Sequence, residues 1–402
     1  MRTVAIIGKN FGDEGKGLAC ASLSHNIKNT LIIKHNGGGQ AGHTVEDENG
    51  RRFIHHQICS GAQYGAATLF ADSFMVDLYK LLEEETNFRE VYGFTPVLYA
   101  EKNTKITVID DVIRNMLIES SRGNNRHGSC GMGINECKKR NVSGFSLTLE
   151  EVNDMTVEEL YGRLKFFRLR YSQKDIYKFK SGIQAEYLDM LTDDSILLTY
   201  AQYLKDGIKL INLVDATTEW LSAFDQIVFE TGQGLLLDED YEPYAPYLTP
   251  SKTGLHNISK FLDNRNMSLD EVIYVTRSYV TRHGNGPLSC EVKKENINPL
   301  MEDVTNVDNP WQGSLRYAMH TSIEDFDRPV SDDIESVAVS KSMKHVKKSL
   351  LITHLNETND VVFFDTGNME INQVIDRLRC EFGYTKVYTS HNKYLIDLLN
   401  GV

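Results

Sequence analysis

Residues 8–17 read GKNFGDEGKG and come directly after the apolar run Val4–Ile7. A helix-like stretch follows, so the segment predicts a strand, a glycine-rich turn and the N-terminus of a helix. Lys16 adds a full positive charge to the turn. Three glycines leave the backbone N–H groups uncovered, namely Gly12, Gly15 and Gly17. Turns of this kind bind anionic oxygens, so the chain opens with a predicted phosphate-binding loop.

One position of this loop departs from the usual nucleotide-binding pattern, GxxxxGK followed by Ser or Thr. Gly17 stands where the hydroxyl that binds Mg²⁺ would be. The metal ligand must therefore come from another residue. Asp13 is the nearest carboxylate, and Glu14 is its only competitor within the loop.

A second glycine-rich segment, HNGGGQAGHTV at 35–45, follows the apolar run Thr30–Ile33. It carries one titratable candidate, His43, beside Gln40. A single histidine is more often a surface or core residue than a catalyst. Two glycine-rich loops after the first two strands of one sheet favour a functional site, because ligands collect at the carboxyl edge of such a sheet.

The composition is that of an ordinary soluble protein, with 402 residues, 41% hydrophobic and 25% charged. A net charge of −13 argues against nucleic-acid binding, which needs a basic face. The N-terminus runs straight into a strand and no apolar stretch approaches about 18 residues, so we expect no membrane segment and a cytoplasmic location. The six cysteines form no CxxC pair and are expected to be reduced bystanders.

Apolar runs alternate with helical patterns along the chain. The runs that predict strands are Val4–Ile7, Thr30–Ile33, Ala67–Ala71, Val97–Tyr99, Gln226–Phe229, Val272–Tyr279, Leu350–Thr353, Val361–Phe364 and Lys386–Thr389. Helical spacing is found at Phe74–Phe88, at Val112–Ser120 and across 149–213. This alternation predicts an α/β fold with a large, mainly parallel central sheet flanked by helices and a P-loop-NTPase-like core.

No repeat or linker divides the chain, so we expect one domain over residues 1–402. The helical stretch at about 149–213 is interpreted as a subdomain inserted into it. The polar segment Asn285–Asn309 reads as a long loop, and loops of that length are usually functional or disordered.

Four motifs together resemble the adenylosuccinate synthetase family. GDEGKG at 12–17 and GQAGHT at 39–44 match the family forms GDEGKG and NAGHT. FETGQGLLLD at 229–238, followed by YAPYLTPS at 244–251, is similar to FEGAQG…LLD…YPYVTSS, and TRHGNGP at 281–287 is similar to TRVGAGP. Order and approximate spacing hold up to about residue 290. The resemblance implies a large parallel-sheet core, a homodimer and a ligase of purine biosynthesis.

The resemblance also implies catalytic roles for three residues. Asp13 would take the N1 proton of a 6-oxopurine, and the resulting oxyanion would attack the γ-phosphate of a nucleoside triphosphate. Lys16 and the loop amides would stabilise the charge on the phosphoryl oxygens. His43 would hydrogen-bond the transferred phosphoryl group as a positioned acid. Mg²⁺ would be held by Asp13 and the carbonyl of Gly42.

The same resemblance implies the contacts of the purine nucleoside monophosphate. Gln40 stands in place of the family's Asn, and Gln233 and Thr249 fall on its base and phosphate contacts. The segment HGSCGMGINECKKR at 127–140 corresponds to the family's glycine-rich phosphate loop. There Ser129 and Cys130 would replace two threonines, and Lys139 or Arg140 would replace an arginine that reaches the neighbouring subunit's nucleotide.

The amino-acid loop departs from the family, whose form is TTGRRRRTGW. Here the stretch is VTNVDNPWQGSLRY at 304–317. It retains Thr305 and a single arginine, Arg316, although guanidinium groups are the natural partners of two carboxylates. Either Arg316 with Asn306, Asn309 and Gln312 forms a reorganised aspartate pocket, or the incoming amine is another compound. We place the amino-acid and base-recognition region at about 285–402.

The family's guanine-reading TKLD motif is also altered, to THLN within LITHLN at 351–356. Asn356, in place of Asp, offers one acceptor and one donor pair, which suits adenine better than guanine. A mismatched buried hydrogen-bond pattern costs about 1–3 kcal/mol. The predicted donor is therefore ATP or dATP rather than GTP.

Three alternatives to an aspartate ligase acting on IMP remain open. A viral branch of the family makes 2-aminoadenylosuccinate from dGMP, although that branch typically has a small residue in place of Asp13. A phosphotransferase or NTPase with another acceptor would account for the altered amino-acid loop. A non-catalytic nucleotide-binding relative would not need to keep Asp13, Lys16 and His43.

Overall fold

The computed structural model describes residues 1–123, 126–179, 184–301 and 313–398. Its β-strands are β1 Arg2–Gly8, β2 Thr30–Lys34, β3 His43–Glu46, β4 Arg52–His55, β5 Ala67–Phe70, β6 Met75–Val76, β7 Leu98–Glu101, β8 Lys105–Ile106, β9 Asn212–Val214, β10 Gln226–Gly234, β11 Glu271–Arg277, β12 Val280–Arg282, β13 Glu291–Val292, β14 Arg316–Ala318, β15 Lys347–Thr353, β16 Val361–Val362, β17 Met369–Glu370 and β18 Lys386–Thr389.

The α-helices lie between these strands and cover both faces of the sheet. They are α1 Lys16–Asn26, α2 Leu78–Tyr92, α3 Ile109–Ser121, α4 Ile134–Val142, α5 Leu149–Asp154, α6 Val157–Phe167, α7 Ala185–Thr192, α8 Ser195–Ile208, α9 Thr218–Leu221, α10 His256–Asp263, α11 Ile323–Phe326, α12 Arg328–Ser336, α13 Leu355–Thr358 and α14 Ile371–Phe382.

The central sheet has nine strands within the described ranges, in the order β18-β15-β11-β1-β10-β2-β5-β7-β9. Each neighbouring pair is parallel. β1 lies near the middle, with Val4 opposite Val228 on one side and Glu271 on the other. Strands buried on both faces read as continuous apolar runs, which is why they were visible in the sequence. The predicted α/β fold with a large parallel sheet is confirmed.

Two predicted segments end differently in the structure. The helical stretch predicted to reach 213 stops with α8 at Ile208, and Asn212–Val214 forms β9, the edge strand beside β7. Val361–Phe364 gives only the two-residue strand β16, which pairs with β17 outside the central sheet. The strands β9 and β16 are both short, and the pattern of apolar side chains alone does not define strands of this length.

The helix predicted at Phe74–Phe88 starts at its N-cap rather than at its first apolar residue. α2 begins at Leu78, since Asp77 accepts a hydrogen bond from the N–H of Lys80 and so caps the helix. The apolar residues Phe74 to Val76, which were included in the predicted helix, form a turn and the strand β6.

Helices α5, α6 and α8 pack onto one face of the sheet rather than forming a separate core. Leu160, Leu164, Leu197 and Leu204 belong to the same buried apolar cluster as Val4. In the part of the chain that the structure describes, no helix is both long and apolar enough to cross a membrane.

A small antiparallel sheet borders the carboxyl edge of the large one. The run predicted as one strand, Val272–Tyr279, breaks after Arg277, and β12 then pairs with β14, which pairs with β13. This arrangement brings the TRHGNGP segment against the loop that follows β1.

Candidate active site

A cavity of about 1890 Å³ lies at the carboxyl ends of β1, β2, β10, β11 and β15. Most of the sequence-predicted site residues line it, although they come from six separate stretches of chain. Those residues are Gly12, Asp13, Gly15, Lys16, Gly17, Gln40, Gly42, His43, Ser129, Cys130, Gln233, Thr249 and Asn356. Two glycine loops and the base-recognition segment thus share one concave surface, as ligand sites of parallel sheets do.

The loop after β1 makes its turns with left-handed residues. Gly12 and Gly15 have φ of 102° and 96°, and Asp13 between them has φ of 58°. A left-handed conformation is disfavoured for a residue with a side chain and is concentrated at functional sites. The Asp13 side chain is 30% exposed and faces the cavity.

Asp13 is held by the side chains of Arg277 and His283. The Nε of Arg277 donates to its main-chain oxygen at 2.6 Å, and the Nε2 of His283 lies 3.1 Å from its Oδ2. Burial alone would raise the pKa of the carboxyl, but His283, with help from Arg277 and Lys16, lowers it to about 2. Asp13 is therefore a carboxylate at physiological pH.

Glu14 has the opposite orientation and is buried inside the loop. Its Oε1 accepts hydrogen bonds from the N–H groups of Asn10 and Gly12, both at 2.9 Å, and its Oε2 lies 2.8 Å from Lys16 Nζ. Both side chains of the Lys16–Glu14 pair are at most 3% exposed. Two of the loop amides expected to cradle phosphate are thus used by Glu14, whereas Asp13 is the partly exposed carboxylate of this loop.

His43 begins β3 and is oriented by the buried carboxylate of Glu230. Its Nδ1 donates to Glu230, which also accepts from the N–H of Ser60 at 3.1 Å and pairs with Lys34 Nζ at 3.3 Å. Burial lowers the pKa of His43, although the charge and hydrogen bond of Glu230 oppose this effect. With its Nδ1 fixed by Glu230, the imidazole presents the Nε2 edge for chemistry.

The predicted acceptor residues are held by local contacts. Gln40 accepts from the N–H of Gly38 at 2.7 Å, and Ser129 Oγ donates to Asn115 Oδ1 at 2.9 Å. Gln233 has a left-handed backbone with φ of 67°, and that strain is typical of a residue held for function.

Arg140 cannot reach a neighbouring subunit from its position. It is fully buried and pairs with Asp111 at 2.9 Å, so of the two alternatives only Lys139 remains on the surface, where it pairs with Glu136 at 3.0 Å.

Arg316, predicted to bind the amino acid, is engaged elsewhere. Its guanidinium pairs with both carboxylate oxygens of Glu291 at 2.8 and 2.5 Å and donates to the carbonyl of Gly286 at 2.8 Å. It is not among the residues that line the cavity. Thr305, Asn306, Asn309 and Gln312 lie outside the described residues.

The segment predicted to recognise the base leads into α13, where Asn356 is exposed and lines the cavity. Thr353 Oγ1 donates to the carbonyl of Glu14 at 2.8 Å, so this segment contacts the loop after β1 directly. Glu357 accepts from the hydroxyl of Tyr279 at 2.5 Å.

Several lining residues were not recognised from the sequence. Ser390 and Asn392 line the cavity beside α13, and the N–H of Leu355 donates to the carbonyl of Ser390 at 3.2 Å. Their segment has no glycine pattern that could have marked it. Glu230 did give a signal, because a carboxylate at the end of an otherwise apolar run is costly to bury without a purpose.

Comparison with known proteins agrees with this geometry. The family model described as adenylosuccinate synthetase matches residues 5–309, more than half of the chain. The adenylosuccinate synthetase of Francisella philomiragia subsp. philomiragia is 28% identical over 301 residues, and that of Francisella tularensis subsp. novicida is 26% identical over 298 residues. Each match covers 73% of this chain and 66% of the relative, so the matched part spans just under two thirds of these relatives.

Two solved structures share the fold. The fully ligated adenylosuccinate synthetase of Plasmodium falciparum gives a TM-score of 0.66 at 20% identity, over 89% of this chain and 78% of that one. The cyanophage S-2L succinoaminodeoxyadenylate synthetase, bound to dGMP and to dATP as an energy donor, gives 0.60 at 14% identity, over 98% and 93%. With the family model over most of its length and these motifs around one cavity, the chain belongs to the adenylosuccinate synthetase family.

Proposed function

We propose that the protein is a C–N ligase that joins an amino acid, L-aspartate, to a 6-oxopurine nucleotide, IMP, with cleavage of a nucleoside triphosphate. The observation that carries this proposal is the convergence of Asp13, Lys16 and His43 on one cavity in a member of this family. An unreactive 6-oxo group needs activation before an amine can displace it, and phosphorylation makes its oxygen a good leaving group.

In the first step Asp13 accepts the N1 proton of the purine. Its carboxylate faces the cavity and is ionised at physiological pH, so it can accept a hydrogen bond from N1–H. The electron pair left on the base is delocalised to O6, which attacks the γ-phosphorus. The bond from that phosphorus to the β,γ-bridging oxygen breaks, and the nucleoside diphosphate leaves.

Lys16 and His43 act on the transferred phosphoryl group. Lys16 has three N–H donors and uses one on Glu14, so the others can contact phosphoryl oxygens. An anion beside His43 favours its protonated form, which Glu230 stabilises from the other side. His43 then donates a hydrogen bond to the phosphoryl group and assists phosphate departure when the amine nitrogen attacks C6. The C6–O6 bond breaks with its electron pair leaving on the phosphate, and the amine loses one proton to solvent.

The site also has the ligands that Mg²⁺ prefers. Asp13 and Gly42 both line the cavity, which supports the Asp13 carboxylate and the Gly42 carbonyl as ligands, and Mg²⁺ in phosphoryl-transfer enzymes uses one or two carboxylates plus the substrate phosphates. Among the described residues no group of three or more His, Cys, Asp and Glu forms a complete metal site. When bound, Mg²⁺ would neutralise charge on the triphosphate.

Asn356 supports ATP or dATP as the donor. Its amide can accept from the N6 amino group of adenine and donate to N1, and it is exposed on the cavity wall. The cyanophage neighbour uses dATP as an energy donor, which agrees with an adenine donor. We further propose a cytoplasmic homodimer, which light scattering can test by a mass twice that of the chain.

The test is phosphate release from ATP and from GTP with Mg²⁺, across IMP, GMP and dGMP against aspartate and a panel of other amino acids, with products weighed by mass spectrometry. Release that requires both IMP and aspartate, with formation of their adduct, is the expected result. An adduct with dGMP would assign the viral-type reaction instead. Release without any amino acid would identify a phosphotransferase or NTPase, and binding without turnover would identify a nucleotide-binding relative.

A further inference from the structure

The conformation of Asp13 depends on contacts from outside its own loop. Its left-handed backbone, with φ of 58°, needs support because that region is disfavoured for a residue with a Cβ. Arg277 supports the main chain through its 2.6 Å hydrogen bond, and His283 supports the side chain through its 3.1 Å contact with Oδ2.

The two supports are themselves rigidly placed. Arg277 ends β11, is 6% exposed and also donates to the hydroxyl of Tyr279 at 2.8 Å. His283 directly follows β12, whose last residue, Arg282, is fixed by hydrogen bonds to the carbonyls of Pro287 at 2.6 Å and Tyr247 at 3.1 Å.

We propose that His283 is a positioning residue that fixes the carboxylate of Asp13 towards the purine site. The proposal rests on the proposed function, in which Asp13 accepts the N1 proton. A carboxylate has about four acceptor directions, so the hydrogen bond from His283 to Oδ2 leaves Oδ1 available to substrate. The family form TRVGAGP has valine at this place, and valine cannot make this contact, so the contact belongs to this chain's own sequence.

The test replaces His283 with valine, glutamine and asparagine. Glutamine can place an N–H near the position of the histidine Nε2, whereas asparagine is too short to reach it. His345, which is exposed and lies outside the cavity, gives the matched control His345→Val. Misplacement of a catalytic group by about 1 Å costs about 10²-fold in rate, which sets the expected loss.

We expect His283→Val and His283→Asn to lower kcat by about 10²-fold, with the affinity for IMP, measured by calorimetry without triphosphate, close to that of the wild type. His283→Gln should recover most of the rate, and His345→Val should match the wild type. A kcat for folded His283→Val within twofold of the wild type would overturn the proposal, and so would a His283→Gln variant as slow as His283→Val.

Amide hydrogen exchange separates this inference from the proposed function. If the wild type forms no adduct with any substrate pair, the proposed function fails. The positioning of Asp13 by His283 is then tested by the rate of amide hydrogen exchange at residues 12–15 in the ligand-free protein. Faster exchange at these residues in His283→Val than in His345→Val supports the positioning of Asp13 by His283, and equal exchange in the two variants overturns it.

Discussion

Replacing Glu230 with glutamine is expected to destabilise the protein and to remove most of its activity, for two separable reasons. Glu230 is completely buried and accepts from His43, from both the N–H and the hydroxyl of Ser60, and from Lys34. Surrounding cations and hydrogen bonds hold its pKa well below the usual range, against the effect of burial. Glu230 is therefore ionised, and its negative charge holds His43, Ser60 and Lys34 in place.

The magnitude follows from what the substitution leaves behind. The Lys34 side chain is 5% exposed, and Glu230 is its partner in a 3.3 Å ion pair. Removing one member of a buried pair costs about 3–5 kcal/mol, because the remaining charge is uncompensated. His43 also loses the carboxylate that orients it, and a positioned acid contributes about 10²- to 10⁴-fold in rate.

Chemical denaturation and steady-state kinetics on Glu230→Gln measure the two effects. The double variant Glu230→Gln/Lys34→Met separates them, since it removes the uncompensated ammonium without restoring the orientation of His43. We expect the double variant to regain stability but not kcat. Unfolding of the single variant within about 1 kcal/mol of the wild type would refute the buried-pair reasoning, and an unchanged kcat would refute the orientation of His43 by Glu230.

Three further substitutions test the site and the core. Asp13→Asn is expected to abolish phosphate release while nucleotide binding persists, and wild-type turnover would remove Asp13 as the base. Asn356→Asp is expected to raise kcat/KM for GTP relative to ATP by about tenfold, since a mismatched hydrogen-bond pattern costs about 1–3 kcal/mol; an unmoved ratio would refute the base-reading role. Burial lowers the pKa of His55 to about 3, whereas the ordinary pKa of histidine is 6.5. Between pH 6.5 and pH 3, His55 is therefore protonated in the unfolded chain and neutral in the folded one, so the free energy of unfolding of the wild type falls as the pH falls. His55→Phe should reduce the slope of unfolding free energy against pH by up to about 1.4 kcal/mol per unit, and an equal slope in both proteins would contradict this.

The central sheet could be predicted because its strands are buried on both faces. Val4–Ile7 and Thr30–Ile33 are continuous apolar runs, and both lie in the sheet. Asn212–Val214 could not be recognised, because it is a short edge strand with exposed or half-buried side chains and follows a long helical stretch. The apolar pattern thus predicts a strand that is buried on both faces, and it does not predict an edge strand that pairs with only one other strand of the sheet.

Candidate site residues could be proposed from the sequence where they lie close together along the chain. The loop from Gly12 to Gly17 contains its own glycines, lysine and carboxylates, but the sequence left Asp13 and Glu14 in competition. Three hydrogen bonds turn Glu14 inwards, and only the folded loop reveals them. Arg316 is a similar case, because its pairing with Glu291 across β14 and β13 could not be read from the 304–317 stretch alone.

Two of the departures from the family pattern lie at the candidate active site. His283 contacts the carboxylate of Asp13, and Asn356 lies on the cavity wall, whereas the residues proposed to act on the phosphoryl group keep the family's motifs. A transferred phosphoryl group is the same for every donor and acceptor, so its charge requires the same cations and donors. Bases and amines differ in hydrogen-bonding edges, and the residues around them must differ when the substrate does. We therefore infer that this chain retains the phosphoryl-transfer chemistry of its family, and that His283 and Asn356 change how it positions the purine and selects the base of the triphosphate donor.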